Sequence, residues 1–334
     1  MTSSRFVRHF FQNKRAAGFV FIAALVALTG AAAHAAWPTQ TVRIIVGYPP
    51  GSTPDVQARL VAEPLAKALG LTVIVENKPG AGGTLGVDAV AKATDGHTIG
   101  VTGNGPLTTA ALLYKKLPYN VSRDLKAIAM VAEAPQVLAV RSDLPVKSVA
   151  EFIALAKKGG KGITYGSVGN GSGSHLTMEL LKSELGFDAL HVAYPGFPQV
   201  TTALLGGQID AAIMVPSSVL AQAESKKLNL IAVTARERAP FLPKVPTIAE
   251  QTGLKTFSAT VWNGVFAPTA ISAEASARLS AAVQTIVNSA DFKAKMISQG
   301  WVANAGNAED MAARMVRDGN QWGTIIKQHN VQLD

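Results

Sequence analysis

The chain has 334 residues, with 31 Lys and Arg against 22 Asp and Glu, a formal charge of +9, 6% aromatic residues and no cysteine. Without cysteine it is neither a disulfide scaffold nor a lipoprotein anchored through a lipid-bearing thiol. Its basic residues are scattered in short pairs such as Lys115-Lys116 and Lys226-Lys227, with no basic run interleaved with aromatics, so no nucleic-acid partner is expected.

Residues 1–35 read as a secretory signal peptide: a basic leader (Arg5, Arg8, Lys14, Arg15), an apolar run over 16–29, and the small-x-small site Ala33-His34-Ala35. The apolar run is about 14 residues, short of the roughly 20 that a spanning helix needs. The chain is therefore expected to be exported to the periplasm and soluble after cleavage. Four of the 31 basic residues leave with the leader and none of the 22 acidic ones, so the excess of basic residues falls to five.

Downstream, short β-branched runs alternate with amphipathic stretches. Strands are predicted over 42–46, 73–76, 98–102, 137–140, 163–166, 190–192, 211–214, 230–234 and 261–266. Helices are predicted over 55–69, 86–93, 149–156, 176–185, 197–205 and 217–225, then over 273–289 and 308–328, with Pro64 kinking or stopping the first of them. Such alternation predicts an α/β fold with parallel-rich sheets flanked by helices and right-handed crossovers. About 300 mature residues exceed one ordinary core. Two lobes are expected: 36–135 plus 236–334 as a discontinuous first lobe returning through the proline-rich 240–246, and 136–235 as the second.

Three strand-to-helix turns are rich in glycine: 47–55, 77–86 and 166–175. Glycines let a backbone turn sharply with its amides outward, and a helix N-terminus behind them adds unpaired N–H groups and a positive dipole end. In α/β sheets ligands bind beyond the carboxyl ends of the strands, where these turns fall. Together they suggest one composite site for a small anion.

Single residues read more ambiguously. Asp55 is either a ligand contact or a dipole partner in a first helical turn. His175 reads as a structural hydrogen bonder, because no second metal-ligating residue stands at ligand spacing from it. Asp210 either orients a cleft loop or is plainly solvated, Asn77 and Asp95-Gly96 read as turn formers, and Trp262, Trp301 and Trp322 as core or lobe-packing residues, with cleft lining the alternative for Trp262.

The ordered set of Pro49-Pro50-Gly51-x-x-x-Asp55, Val75-Glu-Asn-Lys-Pro-Gly-Ala-Gly-Gly83, Thr94-Asp-Gly-His-Thr98, Tyr165-Gly-Ser-x-Gly-x-Gly-Ser-x-x-His-Leu176 and Gly206-Gly-Gln-x-Asp210 resembles the tripartite tricarboxylate transporter substrate-binding proteins, also called Bug receptors. The resemblance runs in order over nearly the whole mature chain. It implies a two-lobed fold of the type II periplasmic-binding-protein kind, with an interlobe cleft that holds a small carboxylate for membrane transporter subunits. By position it implies contacts from Pro50, Gly51, Ser52, Thr53, Ser167, Gly169 and Ser172, and a surrounding wall of Gly80, Ala81, Gly82, Gly83, Asn104, Tyr194 and Asp210. Tyr48, Asp55, Gly171 and His175 complete the candidate set. Two positions depart from the family's usual pattern: Tyr48 replaces a phenylalanine, and Pro195-Gly196-Phe197 follows Tyr194 where a polar or basic residue is usual. Both point toward a flat or aromatic acid among the di- and tricarboxylates, acidic amino acids and aromatic carboxylates that remain open.

No cofactor and no metal are expected, and a monomer is. The competing readings are a receptor for a membrane signalling partner and an exported hydrolase. The latter finds no Gly-x-Ser-x-Gly elbow, no His-Glu-x-x-His pair and no P-loop in the sequence. The cleavage site predicts a mature protein beginning at Ala36. Intact-mass analysis of the periplasmic fraction checks this, and a mass that retains residues 1–35 contradicts it.

Overall fold

The computed structural model describes residues 37–158 and 162–332; the expected signal peptide lies outside them. The strands are β1 (Val42–Val46), β2 (Val73–Asn77), β3 (Thr98–Gly103), β4 (Leu125–Pro135), β5 (Val137–Arg141), β6 (Thr164–Ser167), β7 (Leu190–Ala193), β8 (Ala211–Met214), β9 (Leu228–Val233), β10 (Thr260–Pro268) and β11 (Val302–Ala303). The helices are α1 (Thr53–Leu69), α2 (Thr84–Ala91), α3 (Asn104–Thr108), α4 (Ala110–Leu113), α5 (Val121–Asp124), α6 (Val149–Lys157), α7 (Gly173–Leu185), α8 (Phe197–Leu205), α9 (Leu220–Glu224), α10 (Ile248–Thr252), α11 (Ala273–Asn288), α12 (Ala290–Ser298) and α13 (Ala308–Gln328). No helix among the described residues is long and apolar enough to cross a membrane.

The strands form two sheets, ordered β11-β4-β10-β3-β1-β2 and β7-β6-β8-β5-β9. Each has a parallel half, β2-β1-β3 and β7-β6-β8, built by βα units. Each also has an antiparallel half, because β4 and β10 in the first sheet and β5 and β9 in the second carry the chain out and back. The passage from β4 to β5 takes a single residue, Gln136. It is pinned to the return strand: the Gln136 amide donates to Thr234 Oγ1 at 2.8 Å, and the Thr234 amide donates to the Gln136 carbonyl at 2.9 Å. The Ala259 amide, just before β10, donates to the Thr234 carbonyl at 2.9 Å. Thr177 on α7 donates to Gln136 Oε1 at 2.6 Å, which ties the crossing to the helix behind the third glycine-rich turn. Gln136, Thr177 and Thr234 are all buried, so every one of these groups needs its partner.

Helix α13 makes a second connection. Near its start Met311 packs among Ile45, Trp262 and Phe266, and near its end Trp322, Ile325 and Ile326 pack with Leu138, Leu176 and Ile213. Its middle is fixed by charge: Arg314 reaches Glu133 Oε2 at 3.0 Å and Asp318 Oδ1 at 2.8 Å, while Trp262 Nε1 donates to Asp318 Oδ2 at 2.7 Å.

Helix α1 continues through Pro64 to Leu69, so of the kink or stop expected there the stop does not occur. Buried Val61, Leu65 and Leu69 on either side hold it to the sheet, and this packing outweighs the missing hydrogen bond at the proline. Strand β4 escaped sequence reading because Leu-Lys-Ala-Ile-Ala-Met-Val-Ala is rich in alanine and methionine; pairing with β10 on one side and β11 on the other makes it a strand. The β1 and α2 backbones touch directly. A Cβ on Gly47 would lie 2.3 Å from the Gly83 carbonyl oxygen, and one on Gly86 2.4 Å from the Gly47 Cα. Gly86→Ala is therefore expected to cost at least about 1–3 kcal/mol, the usual range for overpacking. Gly319→Ala on α13, where a Cβ meets nothing within 4 Å, should instead stabilise by about 0.5–1 kcal/mol. Urea unfolding of both variants checks the pair, and equal midpoints would contradict the backbone contact.

Candidate ligand-binding site

A cavity of about 340 Å³, within the usual range for small-molecule sites, lies where loops from the two sheets meet. All three glycine-rich turns reach it: Tyr48 from the first, Gly82 from the second, and Val168, Asn170, Gly171 and Ser172 from the third. Asn104, at the start of α3, also lines it. None of the described residues lining the cavity is charged. A broader groove of about 1010 Å³ runs along α1 and the edge strand β2, but it is open surface that none of these turns reaches.

The third turn is the most fully built. Ser172 is the N-cap of α7, its Oγ accepting from the His175 amide at 3.3 Å and donating to the Gly169 carbonyl at 2.7 Å. The Gly171 amide is taken by His175 Nδ1 at 3.0 Å and the Ser172 amide by the Gly169 carbonyl at 3.2 Å. Among the described bonds, the first-turn amides left without an acceptor are those of Gly173 and Ser174, and Gly173 lines the cavity. Gly169, with φ +112°, and Gly171, with φ +69°, hold conformations that favour glycine. Helix α2 also directs its N-terminus here through Thr84, whose hydroxyl donates to the Ala81 carbonyl at 2.9 Å.

Other candidates from the sequence serve these turns from outside the cavity wall. Pro50, Gly51, Ser52, Thr53 and Asp55 do not line it. The Gly51 amide, in a residue with φ +80°, donates to Asp55 Oδ2 at 2.8 Å, and Asp55 also receives Arg59 at 2.9 Å and Asn77 Nδ2 at 2.8 Å. Burial alone would raise the Asp55 pKa, but the bonds from Arg59, Gly51 and Asn77 together hold it below the ordinary value. Asp55 thus organises the first turn, and the Gly51 amide is already committed to it. Gly80, Ala81 and Gly83 form the rest of the second turn; a Cβ on Gly83 would strike the Tyr48 ring at 2.7 Å.

Ser167 is fully buried, its Oγ 2.6 Å from His191 Nε2 and 3.1 Å from the Gly169 carbonyl, so that pair is not presented to the cavity. Tyr194 and Phe197 pack against the cluster of Val200, Leu204 and Ile209 rather than into the cavity, so Phe197 is not the aromatic contact expected of it. Asp210 sits at the opposite end of the β6–β8 pair from Ser167. There its carboxylate accepts from the Thr164 amide and hydroxyl, each at 2.9 Å, and from Arg141 Nε at 3.0 Å.

Among the lining residues that escaped sequence reading are Leu113, Tyr114, Val261 and Trp322. No local signal marks them, since the end of α4 (Leu113 and Tyr114), β10 (Val261) and α13 (Trp322) are brought together only by the tertiary fold. Trp322, expected in the core, both packs there and lines the cavity.

Two buried sheets joined at narrow crossings, with a cavity between their loops, define a periplasmic-binding-protein fold. The chain belongs to the tripartite tricarboxylate transporter family receptors, whose profile matches residues 57–331. It is 29% identical to Protein BugT of Bordetella pertussis over 89% of this chain and 91% of that one. Among solved structures it is similar to an R. palustris protein with adipate, at 29% identity and TM-score 0.78 over 89% of this chain and 99% of that one. It is also similar to MatC from Rhodopseudomonas palustris with bound malate, at 30% identity and TM-score 0.74 over 87% and 100%. The family and these neighbours are substrate-binding receptors, not enzymes, and the chain is a periplasmic solute receptor.

Behind the third turn His175 stacks on His191 at 4.1 Å between centroids, and His191 stacks on Tyr165 at 4.9 Å. Glu179 closes the cluster, accepting from Tyr165 Oη at 2.6 Å and Lys182 Nζ at 2.9 Å, with His329 Nδ1 2.7 Å from its other oxygen. Burial, and then the neighbouring His191, push the His175 pKa down to about 4. An unfolded chain, with the ordinary value of 6.5, takes up the proton first as pH falls. Stability is therefore complete above about pH 6.5 and declines between 6.5 and 4, by up to about 3 kcal/mol at 1.36 kcal/mol per unit. His175→Asn, which keeps an acceptor for the Gly171 amide without titrating, is expected to flatten this slope. Urea unfolding across pH 4–7.5 measures it, and identical slopes in variant and wild type would contradict the assignment.

Proposed function

We propose that this receptor takes one small organic acid by its carboxylate in the cavity between the sheets and delivers it to membrane subunits of a tripartite tricarboxylate-type transporter. The observation that carries this reading is the meeting of the α2 and α7 N-termini at a cavity with no charged lining residue. Helix N-termini hold anions through unpaired amides and the dipole. Hydrogen bonds to a charged group contribute about 1.5–3 kcal/mol each, so a few of them supply much of the roughly 8 kcal/mol of a micromolar complex. Among the described residues no group of three His, Asp or Glu is placed to hold a cation. The adipate and malate of the two R. palustris neighbours support the ligand class.

The sheet order supports the division into lobes 36–135 plus 236–334 and 136–235, which close about Gln136 and Thr234 because the acid must touch turns from both to lose its water. A panel of di- and tricarboxylates, acidic amino acids and aromatic acids tests the whole reading by thermal shift and small-angle scattering. At about 100 times Kd a true ligand adds about 2.7 kcal/mol, a rise of several degrees in Tm, unchanged by EDTA, with a smaller radius of gyration. No shift from any acid, or a shift abolished by EDTA, would overturn it.

A further inference from the structure

We infer that the acid held here carries a single carboxylate on a flat aromatic body, and that Trp322 selects for it; the inference rests on the receptor reading above. The cavity contains two kinds of wall. The polar side is the α7 N-terminus with Ser172 and Gly173, joined by Asn104 and Asn170. Thr84 and Thr109 add two hydroxyls, each already donating to a backbone carbonyl, and the large side chains that remain are apolar or aromatic: Leu113, Leu176, Val261, Tyr48, Tyr114 and Trp322. A carboxylate against the first wall meets amide donors. A second carboxylate against the other wall loses its hydration and gains no cation, since the lining has none.

An aromatic ring loses no hydrogen bonds there and gains offset or edge-to-face contacts with three rings. Both phenols gather at Gly82: Tyr48 Oη donates to the Gly82 carbonyl at 2.8 Å, and Tyr114 Oη lies 3.5 Å from where a Gly82 Cβ would stand. Burial pushes the Tyr48 phenol up to about 12, so it stays neutral and adds a ring rather than a charge. Trp322 is held more firmly than a loop aromatic would be. It is 4% exposed, on a helix whose start and end are packed in two different cores and whose middle is locked through Arg314 and Asp318. A rigid indole beside an uncharged cavity favours a planar partner over a flexible, doubly charged one.

Isothermal titration of the periplasmic protein with benzoate, phenylacetate, hexanoate, adipate and malate tests this. Benzoate or phenylacetate is expected to bind at least tenfold tighter than adipate or malate and to change tryptophan fluorescence. Trp322→Leu is expected to weaken the aromatic acid at least tenfold while hexanoate changes less than threefold. Because Trp322 also packs in the core, Tyr114→Leu is measured alongside, with the same loss of aromatic preference expected. If neither variant folds, the selectivity and fluorescence change of the unaltered protein decide. Adipate or malate binding tighter than every monocarboxylate overturns the inference and leaves the receptor reading standing. Unchanged aromatic affinity in a folded Trp322→Leu protein overturns the role of Trp322. Binding of none of these acids, nor of any in the wider panel, overturns the receptor reading itself.

Discussion

Gln136 and Thr234 meet where the chain leaves one sheet and where it comes back, and their two reciprocal bonds, one backbone to backbone and one to the Thr234 hydroxyl, bring the two sheets to one narrow crossing. Three buried polar groups are satisfied there by one another, so separating them would strand donors and acceptors away from water at about 1–3 kcal/mol each. Thr177 extends the same network into α7, whose N-terminus faces the cavity. The position of the third turn therefore follows from the crossing. Helix α13 adds a separate tie by burying its start and end in different cores.

The electrostatics of the cavity follow from how the nearby charges are spent. Arg59 is bound to Asp55, Arg141 to Asp210 and Asp143, and Arg314 to Glu133 and Asp318. Lys182 is held by Glu179 behind the third turn. These pairs orient loops and helices and leave the wall of the site to amides, hydroxyls and rings. Hydroxyls near the cavity are also partly committed, since Ser172, Thr84 and Thr109 each donate to a backbone carbonyl. What remains for an anion is mainly backbone, which explains why glycine positions say more about this site than charged ones do.

Much of the fold was legible from periodicity: β1, β8, α8 and α13 have the bounds read from the sequence, because β-branched runs and helical stripes are local signals. Strand β4 was not, because its alanines acquire strand geometry only from neighbours on both sides. The short helices α3, α4 and α10 escaped for a related reason, as a single turn carries no period to detect. At the site, the three glycine-rich turns were legible and each reaches the cavity. Their individual roles were not, since a positive φ, a backbone-on-backbone contact and an open amide all read as the same glycine. Gly83 and Gly86 make room for packing against Tyr48 and Gly47, whereas Gly169 supplies a turn. Trp322 and Tyr114 were beyond sequence reasoning, since their place at the cavity depends on α13 crossing from one core to the other and on the turn after α4.

The central claim is that an anion is held here by backbone at a helix N-terminus without a cationic side chain. A crystal structure of the protein with benzoate or another acid that shifts its Tm tests this most directly. The account predicts carboxylate oxygens within hydrogen-bonding distance of the Gly173 or Ser174 amides, with no Lys or Arg nitrogen in contact. A carboxylate paired with Arg59, Lys78 or any other cation, or lying outside this cavity, would contradict it.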